Sequence, residues 1–442
     1  MRNSPPRHRP PFVAPFVAPF VAPFEAACLP ARARALLVAL ALPRALPLAF
    51  LVAACSRPET VSLPGGLPPV RSAPAPRVDG EPPVRRASVA RLADTLRALL
   101  TRARADSVFP GAIAVVGTAD RVLSSVAVGT TDWAPGSAPI DDRTLWDIAS
   151  LTKLVALTTT IAVLVDEGRL SLDDTVRRWL PEWRIAGNEG LTVRDLITHR
   201  SGLPAFKQYF KSVVGKDTVR ALVLAEPLAT PPRSRMVYSD LGAILLGMVV
   251  ERVTGQPFDV AVRDRVVAPL DLRETMFNPP ASLRANIAAT ERDPWRGRLL
   301  QGEVHDENAF ALGGVSAHAG LFVSAADMTR FAQMWLGFGV FGDRRLFSER
   351  TGRAFATVQD SAFSSRALGW DTPTGDNSAG ALMKRPAFGH TGFTGTSLWM
   401  DPARGLFVLL LTNRVNPSRV RTGIGGVRAR VADAAARWSD AR

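Results

Sequence analysis

Apolar positions along the chain follow a helical period at both ends and in the middle, and a strand period in two separate places. "ASVARLADTLRALLTRARA" sets Val89, Leu92, Leu96, Leu99 and Leu100 on one face, which predicts an amphipathic helix. "FPGAIAVVGTADRVLSSVAVG" reads as two strands around a polar turn at Asp120 and Arg121. The run that begins near Ser150 is almost wholly apolar or Thr, and Gly168 is its stop. Its length also suits a membrane span, but Lys153 and the early acidic stop in "DEGRLSLDD" predict a buried core helix instead. Residues 170–345 read as helical and loop-rich, as in "LTVRDLITH", "DLGAILLGMVVERVTG" and "SAADMTRFAQMWLGFG". Short β-type runs return after about residue 360 in "FGHTGFTG", "TSLWMDP" and "GLFVLLLTN", before a last amphipathic helix, "GVRARVADAAARWS". Strands at both ends of a helical middle predict an α+β domain over residues 87–442, its sheet completed by the C-terminus, with a mostly helical region inserted.

The first 86 residues follow neither period. "PFVAPFVAPFVAPFEA" is a low-complexity tandem repeat, or sequence upstream of the true start, and no function is assigned to it. Arg32, Arg34 and Arg44 precede "ALPLAFLVAAC", a short apolar stretch ending in small residues at a cysteine, which resembles a bacterial secretion signal. Val52-Ala53-Ala54-Cys55 resembles a lipoprotein cleavage box. Residues 1–55 are therefore read as a targeting segment, with Cys55 as the lipid site and mature N-terminus. A plain secretion signal cut near Ala54 is the alternative. Residues 56–86, rich in Pro, Ser and Arg, cannot bury enough apolar surface to fold and read as an extended tether. This places the protein outside the cytoplasm, anchored as a periplasmic or cell-surface lipoprotein, or else secreted.

Charge changes the picture less than its total suggests. The net charge is +14, but residues 1–86 hold 11 Arg against four acidic residues, so half of the excess lies in the leading segment. The rest is spread thinly over residues 87–442, which speaks against nucleic acid as a partner. Both cysteines, Cys28 and Cys55, lie in the leading segment, so the remainder has no disulfide, thiolate ligand or cysteine nucleophile.

Among 54 Lys and Arg residues only five are lysines, and one of them is Lys153, three residues after Ser150. At a helix start, residues i and i+3 share a face. A serine hydroxyl is a poor nucleophile until a neighbour takes its proton. A desolvated lysine can do so, whereas an arginine effectively never deprotonates. A helix N-terminus also offers a backbone N–H and a favourable dipole to a developing oxyanion. Two further strings stand downstream: Tyr238-Ser239-Asp240 before an apolar helix, and His390-Thr391-Gly392 at the edge of a β-type run.

The order Ser-x-x-Lys, Tyr-x-Asp, His-Thr-Gly resembles the three active-site elements of the serine β-lactamase and penicillin-binding-protein superfamily. The match is best to the branch holding class C β-lactamases, D,D-peptidases and related esterases. "TLWDIASLTK", "VLVDEGRLSLDDTVRRWLP", "LTVRDLITHRSGLP" and "VHDENAFALGGVSAHAGLFVSAADMTRF" extend the resemblance in order from Ala87 onward. It implies a β-lactamase/transpeptidase-like fold, an antiparallel sheet flanked by helices, and a serine hydrolase needing no cofactor or metal. It implies that Ser150 attacks a carbonyl to form an acyl-enzyme and that Lys153 and Tyr238 share proton handling, with the base not yet assigned between them. The backbone N–H groups of Ser150 and Phe393 form the oxyanion hole, and Asp240, His390, Thr391 and Gly392 bind substrate. Two positions depart from the family. Asp240 replaces the usual Asn, and a carboxylate there favours a charged Lys153, tilting the base role toward Tyr238. His390 replaces the usual Lys, which supplies a permanent charge for a substrate carboxylate; a histidine is mostly neutral at pH 7. Weaker affinity for carboxylate-bearing β-lactams follows as an expectation, with esters or amides more plausible.

Other histidines read differently. His199 and His318 are expected to serve structural hydrogen bonds, and His305-Asp306 lacks the second close ligand of a metal site. No Gly-x-Ser-x-Gly elbow or phosphate-binding glycine loop occurs. The expected function is hydrolysis of an ester or amide, including one in a cell-wall-derived peptide, through an acyl-enzyme on Ser150. A D,D-carboxypeptidase, penicillin-binding protein or β-lactamase is the alternative within enzymes. A non-catalytic cell-wall or ligand-binding relative is the alternative outside them. Substrate identity and oligomeric state are not set by these residues.

Overall fold

The computed structural model describes residues 83–375 and 377–441. The secretion-like segment, Cys55 and nearly all of the proposed tether lie outside these residues. The first helix, α1 (Pro83–Ala105), begins ahead of the Ala87 start expected from the apolar period. A proline suits the first helical position because the N–H it lacks would have no partner there.

Five strands form an antiparallel sheet: β1 (Gly111–Gly117), β2 (Val122–Gly129), β3 (Phe388–Thr391), β4 (Ser397–Asp401) and β5 (Leu406–Thr412). Their order is β3-β4-β5-β1-β2, so the C-terminal strands complete a sheet begun by the N-terminal hairpin. Ala112 pairs with Thr412 and Gly117 with Phe407 across the β1–β5 seam. Both strands are buried at every position, which explains their unbroken apolar sequence. On one face Ala112, Ala114, Val116, Val408 and Leu410 pack with Leu96 of α1 and Val431 of the last helix, α5 (Ile424–Asp440). On the other, Ile113, Val115, Leu409 and Leu411 pack with Leu154, Leu157, Phe331 and Trp335.

The apolar run at Ala149–Asp166 is one continuous helical segment inside that second layer, with 83% of it buried. It is not a uniform helix. A 3-10 turn at Ala149–Leu151 passes into a wide π-type turn at Lys153–Thr158 and then into regular helix α2 (Thr159–Asp166). From Asp166 to β3 the chain is mostly short helices and loops, with α3 (Asp240–Thr254) and α4 (Ala325–Leu336) the longest helices of this stretch. A small sheet ties this region to the nucleophile turn: Trp146 pairs with Val323 and Asp147 with Phe322.

Candidate active site

The residues around Ser150 are set by three crossings of the chain. Ala149, just before the serine, has φ +47°, a left-handed conformation that a non-glycine residue adopts at a cost. Asp147 holds it there: Oδ1 accepts the Ala149 N–H at 2.8 Å and Oδ2 accepts the His305 N–H at 2.7 Å. Burial pushes the Asp147 carboxyl up, against these two backbone donors that favour its charge. Thr394 and Thr396 donate their hydroxyls to the carbonyls of Asp147 and Ile148 at 2.7 and 3.1 Å, fastening the loop after β3 to the same turn. Gly392 is needed for this approach, because a Cβ there would lie 2.3 Å from the Ile148 carbonyl oxygen.

Lys153 is 3% exposed, and its ammonium meets three oxygens. Nζ donates to Ser150 Oγ at 3.1 Å and to the His318 carbonyl at 2.9 Å, and lies 2.7 Å from Asp240 Oδ1. That last approach is a close, buried ion pair. Burial alone would strip the lysine of its charge, but the Asp240 carboxylate, together with the Tyr238 oxygen, outweighs burial and its pKa is raised. An ammonium so held donates to Ser150 and has no lone pair with which to take its proton.

Tyr238 stands at the end of the loop that enters α3. Ser239 is the N-cap, its Oγ accepting the Gly242 N–H at 3.2 Å, and Asp240 occupies the first turn, where the helix dipole favours a carboxylate. The Tyr238 ring centroid lies 4.9 Å from Lys153 Nζ, 4.5 Å from the His199 ring and 5.5 Å from the His390 ring. Its hydroxyl is buried with no hydrogen-bond partner among the described residues. His390 lies on β3, at the edge of the sheet, as expected from its run of residues. Its Nδ1 is 2.8 Å from the Thr391 carbonyl, which can only accept, so Nδ1 carries the proton. Burial, then the nearby Arg366 guanidinium, hold His390 well below the usual histidine range. The neutral ring therefore presents Nε2 as a buried, unpartnered acceptor.

A cleft of about 330 Å³ opens over these groups, lined by Ser150, Tyr238, His390, Thr391, Gly392 and Phe393 and flanked by Arg366, Arg414 and Arg428. The structure thus brings together Ser150, Lys153, Tyr238, Asp240 and His390, and places Phe393 directly after Gly392 at the cleft mouth. The three arginines were not foreseen, since none sits in a motif. His318 does make structural hydrogen bonds: Nε2 is 2.9 Å from Asp306 Oδ1 and Nδ1 is 2.7 Å from Ser316 Oγ. It also does more, because its carbonyl is one of the three oxygens on Lys153. His305 and Asp306 diverge, His305 toward Glu291 at 2.9 Å and Asp306 toward His318. The His305 ring stacks beneath Phe393 at 5.6 Å, and Arg414 covers that ring at 4.5 Å.

Two buried neutral histidines make acid sensitivity predictable. His199, like His390, is held well below the usual range by burial and then by Arg366; its Nδ1 accepts the Ser239 N–H at 3.1 Å. Below about pH 6.5 the unfolded chain binds protons at these positions that the folded chain refuses, so stability falls as pH drops. Each histidine contributes about 1.4 kcal/mol per pH unit below that point. Urea unfolding at pH 7.5 and 5.5 is expected to differ by roughly 2–3 kcal/mol, and by about half as much in His390→Gln. Equal stability at the two pH values would contradict the neutral assignments.

The wider comparisons agree with this geometry. The beta-lactamase family profile matches residues 96–432. The chain is 36% identical over 343 residues to an N-acetylmuramyl-L-alanine amidase of Bacillus subtilis (strain 168), covering 69% of this chain and 77% of that protein. It is 37% identical over 307 residues to a protein of Escherichia coli (strain K12) provisionally named a D-alanyl-D-alanine carboxypeptidase, covering 61% and 69%. In structure it resembles a penicillin-binding protein homologue from Caulobacter crescentus, with TM-score 0.65 at 23% identity over 81% of this chain and 99% of that one. The chain belongs to the beta-lactamase family and is a serine hydrolase.

Proposed function

We propose that this hydrolase cleaves an amide or ester of a cell-wall-derived peptide by acylating Ser150. The observation that carries the reading is the buried Lys153 ammonium, 3.1 Å from the Ser150 hydroxyl and clamped by Asp240 and the His318 carbonyl. Ser150 Oγ attacks the carbonyl carbon, and the N–H groups of Ser150 and Phe393 receive the oxyanion. Lys153, held charged, orients the hydroxyl and favours the alkoxide that forms. Tyr238, whose hydroxyl has no hydrogen-bond partner among the described residues, relays the proton: its oxygen takes the serine proton as its own hydroxyl proton passes to the leaving amine or alcohol. Water then cleaves the acyl–Ser150 ester along the same route in reverse. The names of the amidase and carboxypeptidase relatives support a peptide of the cell wall as substrate.

A cell-wall substrate suits a location outside the cytoplasm, in keeping with the secretion-like segment and a lipid anchor on Cys55. Mass spectrometry of the mature N-terminus tests the anchor: a diacylated Cys55 is expected, and an unmodified N-terminus beyond it would remove the anchor from the account.

Activity-based labelling tests the chemistry. A fluorophosphonate is expected to label the protein but not Ser150→Ala. Fluorescent penicillin reports whether the site also accepts a β-lactam. No serine-dependent adduct with either probe would favour the non-catalytic relative instead.

A further inference from the structure

The two N–H groups assigned to the oxyanion are not equally secured. Ser150 sits in a 3-10 turn, whereas Phe393 lies in the loop between β3 and β4. The Phe393 N–H has no acceptor among the described residues, so it is a free donor in a residue that lines the cleft. That N–H belongs to the trans peptide unit joining Gly392 to Phe393. In a trans peptide the C=O and N–H point opposite ways, so whatever holds the Gly392 carbonyl also aims the Phe393 N–H. Residue 392 must be glycine to approach the Ile148 carbonyl, and glycine leaves this peptide freer to rotate than another residue would.

Two donors oppose that rotation. The Gly395 N–H closes a turn on the Gly392 oxygen at 3.1 Å. On the same oxygen Arg428 Nη2, from the second turn of α5, donates at 2.6 Å. Nη2 also donates to the Thr396 carbonyl at 2.9 Å, and that carbonyl takes the Gly392 N–H at 2.8 Å. One guanidinium nitrogen thus spans both ends of the loop. No carboxylate pairs with Arg428 among the described residues; its partners there are these two carbonyls. Burial, then the neighbouring Arg414 cation, lower its pKa to about 10, which leaves it charged at neutral pH. Arg414 secures the next peptide, its Nε donating to the Phe393 carbonyl at 2.9 Å.

We propose that Arg428 is a positioning residue for the oxyanion hole: by gripping the Gly392 carbonyl it fixes the Phe393 N–H toward the substrate carbonyl oxygen. This rests on the acyl-enzyme reading above. As the Ser150 Oγ–carbon bond forms, the carbonyl π pair moves onto oxygen, and a donor already aimed there costs no reorganisation at that moment. The charge-assisted bond to the Gly392 oxygen also polarises the peptide and makes its N–H a stronger donor. Thr394 and Thr396 tie the same loop to the turn before Ser150, so the two N–H groups are set relative to each other. In this role Arg428 acts through one peptide unit and not by contact with substrate.

The test compares p-nitrophenyl acetate with its thiono analogue, in which sulfur, a weak hydrogen-bond acceptor, replaces the carbonyl oxygen. The readout is the oxygen-to-thiono ratio of kcat/KM, each value divided by the hydroxide-catalysed rate. It is measured in the wild type, Arg428→Met and Arg428→Gln, with thermal unfolding confirming that each variant folds. The wild type is expected to favour the oxygen ester by about 100-fold or more. Each variant should lower kcat/KM by about 10–100-fold for the oxygen ester and much less for the thiono ester, shrinking the ratio by about 10-fold. A merely structural role would slow both esters alike. A folded variant that keeps the wild-type ratio, whatever its kcat, overturns the role of Arg428 alone, as does a wild type with no preference. If neither ester is hydrolysed and Ser150 takes no fluorophosphonate, the acyl-enzyme reading fails and this proposal fails with it.

Discussion

Ser150→Ala is expected to lower kcat/KM for any accepted ester or amide by about 10⁴-fold or more while leaving the fold intact. The size follows from the arrangement of the site. Lys153 donates to this one oxygen, Tyr238 and the β3 edge line the same cleft, and without the oxygen the remaining groups can only bind substrate and polarise its carbonyl. Ser150 is also only partly buried, so alanine removes a hydroxyl without opening a core cavity. The Lys153 ammonium loses one of three oxygens and keeps the His318 carbonyl and Asp240. Thermal unfolding within a few degrees of wild type, together with steady-state kinetics, checks both halves of this expectation.

Lys153→Met is expected to be nearly as severe for activity and, unlike Ser150→Ala, costly to stability. It removes the charge that orients Ser150 Oγ, with an expected loss of about 10³-fold in kcat. It also leaves the Asp240 carboxylate, whose side chain is 18% exposed, without its cation. Stranding a mostly buried charge destabilises a protein by up to 3–5 kcal/mol; Asp240 keeps some solvent contact, so about 2–3 kcal/mol is expected here. The double variant Lys153→Met with Asp240→Asn separates the two roles. It should recover most of the stability and almost none of the activity. If it recovered activity, Lys153 would matter only as a structural partner of Asp240.

Much of this site is legible in the sequence, and what escapes has a physical reason. Ser150, Lys153 and Tyr238 are recognisable because the chemistry demands particular residue types at short, ordered spacings. The Asp240 departure correctly points to a charged lysine, because a carboxylate beside an ammonium acts the same way in any fold. Neutral His390 is likewise anticipated, though its cause is burial beside Arg366 more than its ordinary pKa. The strand-like runs at each end are distinct because β1 and β5 bury both faces. The helix from Ala149 is legible as buried, but not its passage through 3-10 and π-type turns, since apolar spacing reports which face is covered and not the hydrogen-bond register. Arg366 and the His318 carbonyl are invisible for another reason. One is a loop cation in an arginine-rich chain, and the other is a backbone group brought to Lys153 by the pairing of Asp147 with Phe322.

The central claim is a covalent acyl group on Ser150 during turnover. Wild-type protein is mixed with a slowly released ester, quenched in acid within seconds, digested and mapped by mass spectrometry. The account requires the acyl mass on Ser150, gained and lost at rates matching turnover, and no adduct in Ser150→Ala. Turnover with Ser150 unmodified, or hydrolysis by Ser150→Ala at the wild-type rate, would contradict it.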